Sequence, residues 1–88
     1  MNEKDLHKEL DKLRSEIGEV AKHDTAAKER MIELVNEVEQ SVDASSDREI
    51  DDNLLENIRD AITQFETDHP RATAILNDIM VTLSNMGI

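Results

Sequence analysis

The 88-residue chain has no cysteine, tryptophan or tyrosine, and Phe65 is its one aromatic residue. Without cysteine there is no disulfide framework, no thiolate zinc site and no cysteine nucleophile. With one aromatic, and 10 basic residues against 21 acidic ones, the chain can build neither a stacking platform nor a basic groove for nucleic acid. One proline, two glycines and few β-branched clusters argue against an all-β fold. No apolar run reaches about 18 residues, so no segment is expected to span a membrane. The start, Met1-Asn2-Glu3-Lys4-Asp5, lacks the basic and apolar stretches of a secretory signal, and a cytoplasmic location is the expectation. What remains is one small acidic helical domain over residues 1–88, with a formal net charge of −11.

Four amphipathic segments can be read. In the first, from about Glu3 to Lys22, Leu6, Leu10, Leu13, Ile17 and Val20 form a narrow seam with alternating spacings of four and three. Asn2 is the expected N-cap, and Lys22 and His23 supply positive or titratable groups at the C-terminal end. Gly18 sits off the seam; it either admits a close neighbour or only weakens the last turn, and the second reading is preferred. The second helix starts at Asp24 or Thr25 and buries Ala27, Met31, Leu34 and Val38, widened by Val35 and Val42. Asp43-Ala44-Ser45-Ser46 is the most loop-like stretch. Ser46 and Glu49 then match a capping box, in which each side chain accepts from the other residue's backbone N–H. The third helix is expected over about Asp47 to Thr67, with Ile50, Leu54, Leu55, Ile58, Ala61, Ile62 and Phe65 inward.

His69 precedes Pro70 and is therefore disfavoured in the α region, while Pro70 suits the first position of a new helix. Asp68 or His69 is expected to cap that fourth helix, which runs to about Met86. Gly87 is expected in the left-handed conformation with Ile88 folded back on Leu83.

Charge is uneven along the chain. Residues 23–69 hold 4 basic and 14 acidic groups, a net −10, whereas residues 70–88 hold only Arg71 and Asp78. The fourth helix is apolar on more than one face, through Ile75, Leu76, Ile79, Met80, Val81 and Leu83. Such a helix is buried either centrally or by a partner. Ile75, Ile79, Met80, Leu83 and Met86 are accordingly the candidate interaction surface.

No catalytic, cofactor or metal site emerges from the motifs. Glu66-Thr67-Asp68-His69 reads as E-x-x-H, but a di-iron bundle needs two copies and two further glutamates, so helix termination is the better reading. Glu3/His7 and Glu19/His23 are spaced four apart and read as surface pairs. Asp43-x-Ser45-x-Asp47 begins like a calcium loop, yet Arg48 and Leu54 stand where glycine and a bidentate glutamate are required. The two glycines are too far apart for a phosphate loop. Glu29, Glu33 and Glu37 form one acidic ridge, and Asp51, Asp52, Glu56 and Asp60 another. Both read as solvated faces before they read as a surface for a basic partner.

Phe65-Glu66-x-x-His69-Pro70, followed by Leu76-Asn77-x-Ile79-x-x-x-Leu83-x-x-Met86-Gly87-Ile88, resembles the C-terminal half of a bacterial family of short acidic proteins classed as a domain of unknown function. The N-terminal half resembles it more loosely, through its early leucine-rich helix and the polar break near Ser45. The resemblance implies an all-helical bacterial protein and supplies no activity, cofactor or catalytic residue.

The expected architecture is all-α, with two helical hairpins forming an antiparallel four-helix bundle. The expected function is a non-enzymatic protein–protein interaction module, either a homodimer or a binder of another protein. No nucleic acid, membrane or small-molecule substrate is expected. An acidic decoy for a basic partner and a metal-dependent enzyme are the alternatives.

Overall fold

In a computed structural model, residues 3–44 and 52–86 of the chain are described, with side chains over 4–41 and 53–85. The described residues form four helices: α1 (Glu3–Val20), α2 (Thr25–Ala44), α3 (Asp52–Phe65) and α4 (Pro70–Met86). Each helix packs closely on two others, in the ring α1–α2–α3–α4–α1, and among the described residues the backbones of the diagonal pairs do not come as close.

Side-chain links between the helices give their directions. Arg14 of α1 pairs with Glu39 near the end of α2. The Asn57 amide of α3 donates to Glu37 of α2 at 3.4 Å. The Thr82 hydroxyl, late in α4, donates to Glu9, early in α1, at 2.9 Å. Arg71 at the start of α4 lies 3.6 Å from Glu16 in the last turns of α1. Neighbours therefore run antiparallel, as short connections between helices require.

The seams read from sequence are the core. Leu6, Leu10, Leu13, Ile17 and Val20 of α1 are buried in one core with Ala27, Met31, Leu34, Val35 and Val38 of α2 and Leu54, Ile58, Ala61 and Phe65 of α3. Leu55 and Ile62 pack on that core at its edge. From α4 the core takes Ala72, Leu76, Ile79 and Leu83. Burying each large side chain contributes about 1.5–3 kcal/mol, which makes this layer the main favourable term against chain entropy. Thr73 and Thr82 are buried with it, each with its hydroxyl satisfied: Thr73 donates to the Pro70 carbonyl at 3.1 Å, and Thr82 to Glu9.

Three helix ends differ from the expected ones. α2 runs on through Asp43 and Ala44, the first half of the stretch expected to be loop. α1 stops at Val20, two residues short of Lys22. There the N–H groups of Lys22 and His23 turn to carbonyls three residues back, at 3.2 and 3.0 Å, which tightens the chain out of the α path. α3 stops at Phe65 instead of Thr67, because residues 66–68 turn ahead of the X-Pro restriction at His69.

Gly18 is exposed, and a methyl group added there would meet nothing within 4 Å. The close-neighbour reading is thereby removed. Asn2, the Ser46–Glu49 capping box, the Asp43-x-Ser45-x-Asp47 stretch, the expected start of α3 near Asp47, the expected core residues Val42 and Ile50, Asp51 and Asp52 of the second acidic ridge, and the Gly87–Ile88 ending lie outside the described residues or side chains. None of the described helices is long and apolar enough to cross a membrane.

Candidate functional site

Antiparallel packing puts the start of α2 and the start of α4 at the same end of the bundle. Asp24 is the N-cap of α2: its carbonyl accepts from the Lys28 N–H at 3.0 Å, and its Oδ1 accepts from the Ala27 N–H at 3.1 Å. His69 holds the corresponding place at α4, its carbonyl accepting from the Thr73 N–H at 3.1 Å, with Pro70 as the first helical residue. The His69 ring does not cap its own helix. Its Nε2 lies 3.1 Å from Asp24 Oδ2, so one carboxylate serves both turns. The ring also leans on Phe65, with centroids 6.3 Å apart. The Asp24 carboxyl is held below its ordinary pKa, first by the Ala27 N–H and then by His69.

Beside this link lies an open cleft of about 240 Å³, lined by Glu16, Glu19, Val20, His23, Asp68, His69, Pro70 and Arg71. Glu16, Glu19, His69 and Arg71 of this lining each have a partner within the chain. Glu19 accepts from the Lys22 ammonium at 3.0 Å, which lowers its pKa, and Glu16 faces Arg71. The Glu19/His23 spacing therefore yields a Glu19–Lys22 pair. Glu66 of the E-x-x-H motif is exposed in the turn, while His69 points to Asp24. His7, the other histidine considered as a pair, is exposed on α1. Among the described residues, no three His, Asp or Glu side chains converge to hold a metal ion.

The five residues expected to form an interaction surface separate by depth. Ile79 and Leu83 are fully buried in the chain's own core, so they cannot be part of a surface on the folded monomer. Ile75 and Met80 are partly buried and packed against that core, and the Met86 side chain lies outside those described. The exposed side of α4 carries a different stripe, Arg71, Ala74, Asp78, Val81 and Asn85, with Pro70 and Asn77 also exposed beside it. The stripe's spacing of 3, 4, 3, 4 repeats the a/d rhythm of a helix-packing seam on the face turned away from the core. Val81 is 45% exposed, the largest exposure of any large apolar side chain described.

The other such residue, Ile32 of α2, stands between the exposed carboxylates of Glu29 and Glu33 and belongs to no apolar surface. On that acidic ridge Glu33 takes Arg30 at 2.6 Å and Glu37 takes Asn57, so two of its three carboxylates are engaged within the chain. Of the second ridge, Glu56 and Asp60 are exposed on α3.

The outer seam of α4 escaped the reading of the sequence because Arg71 and Asp78 interrupt it; the signal was its spacing and its low charge. The model of a protein family described as a domain of unknown function (DUF4404) matches residues 6–88. No curated protein and no solved structure matches the chain.

Proposed function

The chain belongs to the DUF4404 family, a domain of unknown function, and on that premise we propose that it is a non-enzymatic protein-interaction module whose contact surface is the outer face of α4. One observation carries this reading. In a protein of net charge −11, the exposed seam Arg71, Ala74, Asp78, Val81 and Asn85 is electrically neutral and presents Val81 to water. A helix face of that kind is suited to packing against another helix, where charge repulsion is lowest and apolar area is gained. At the other candidate, the cleft beside His69, His69 joins two turns through Asp24 and Glu16 faces Arg71, roles that hold the fold together and support binding over catalysis. A cytoplasmic setting accords with this role.

The test is the size of the assembly that contains the chain in an extract of its native cell, read by gel filtration. The wild-type chain is expected well above its 10.0 kDa monomer position, and Val81→Glu is expected to fall to that position with its helical circular dichroism unchanged. A wild-type chain that elutes as a free monomer, or a Val81→Glu variant that stays in the larger assembly, overturns the reading.

A further inference from the structure

We infer that the partner on this face is a second copy of the chain, bound antiparallel through α4 about a two-fold axis; the inference rests on the reading of that face as a contact surface. The argument is self-complementarity. A two-fold interface uses one patch twice, so each charge in it must meet its opposite on the same patch. Arg71 and Asp78 are the two charged residues of α4. They stand seven residues apart, two helical turns or roughly 10 Å, nearly in line along the exposed side.

An axis crossing α4 midway between them sets Arg71 of each copy against Asp78 of the other. Ala74, the smallest side chain of the seam, then lies beside the axis, where the two backbones come closest. By the same register Val81 of each copy falls opposite the exposed Asp68 of the other copy, beside the exposed Pro70 at the start of its α4. Parallel pairing would instead bring Arg71 against Arg71 and Asp78 against Asp78.

The remaining surface disfavours other arrangements. The acidic ridge Glu29, Glu33 and Glu37 lies on α2, which is diagonal to α4 in the ring. Pairing through α4 therefore keeps both copies of that ridge on the far sides of the dimer, while α3 flanks the contact. Arg71 is available for this role: its side chain is 86% exposed, and Glu16, its partner within the chain, is at 3.6 Å.

Charge exchange tests the geometry. In sedimentation experiments on the purified full chain, the wild type is expected to form a dimer. Arg71→Glu and Asp78→Arg should each raise the dimer dissociation constant at least about tenfold, by setting like charges against each other. The double variant Arg71→Glu/Asp78→Arg should restore dimerisation, because the pair is rebuilt with its signs reversed. Thermal melts check that each variant is folded. Restoration cannot arise within one copy, since the two positions are too far apart along α4 to pair directly. A monomeric wild type overturns the inference, as does a double variant no better than the single ones. If the wild type is monomeric when pure, yet Val81→Glu releases the chain from a larger cellular assembly, the contact surface stands and the partner is a different protein.

Discussion

Asp24 Oδ2 and His69 Nε2 lie 3.1 Å apart, although the residues are 45 positions apart in the chain. Each is the N-cap residue of a helix, and together they join the α1–α2 turn to the α3–α4 turn. Asp24→Ala removes both a helix cap and the acceptor for His69, and is expected to lower the melting temperature by several degrees. His69→Ala, which leaves the cap of α2 intact, should lower it less. A double-mutant cycle over the two positions should show coupling; additive effects would mean that the contact contributes nothing to stability.

The same carboxylate sets a dependence on acid. The folded state holds Asp24 below its ordinary pKa, so its contribution is present above the ordinary carboxylate range and is lost as pH falls through the lowered value. Glu9 acts in the opposite sense. Burial raises its pKa, the Thr82 hydroxyl offsets part of that effect, and Asp78 and Asp5 add to the rise. Its contribution is present below the ordinary value and lost as pH rises through the raised one. Glu9→Gln, which keeps an acceptor for Thr82, is therefore expected to be neutral to stabilising at pH 7 and to lose that advantage in acid. Melts at both pH values check the sign. Clear destabilisation at neutral pH would contradict it.

Gly18→Ala should stabilise the fold by about 0.5–1 kcal/mol, since the site is helical and exposed and nothing stands within 4 Å of an added methyl group. Urea unfolding measures it. A loss of stability would mean that the last turns of α1 are more crowded than they are here.

The four helices were legible because three of them carry an apolar stripe confined to one face. Leu6 through Val20, and Ala27 through Val38, appear in the sequence at the spacing at which they are buried. The fourth helix was ambiguous for the opposite reason. With apolar residues on several sides, its sequence could not separate Ile79 and Leu83, which belong to the core, from Val81, which does not. Thr73 and Thr82 were missed as interior residues because a hydroxyl reads as surface until its acceptor is known. The two cap positions were readable at Asp24 and His69, but the bond between them depends on which ends of the bundle coincide.

That division of α4 can be measured directly. Ile79→Ala should cost about 2–5 kcal/mol, the usual range for truncating a fully buried large aliphatic side chain. Val81→Ala should stay within about 0.5 kcal/mol, as expected of an exposed position. Similar losses at both sites would show that α4 is rotated from the orientation described.

The contact surface on α4 is tested most directly by a photo-reactive amino acid placed at residue 81, with a second chain carrying it at Glu33 on the exposed face of α2, each irradiated in the native cell. A discrete protein adduct from position 81 and none from position 33 is the expected result, and its mass identifies the partner as a second copy or another protein. No adduct from position 81, or the same adduct from both positions, would contradict a contact surface on the outer face of α4.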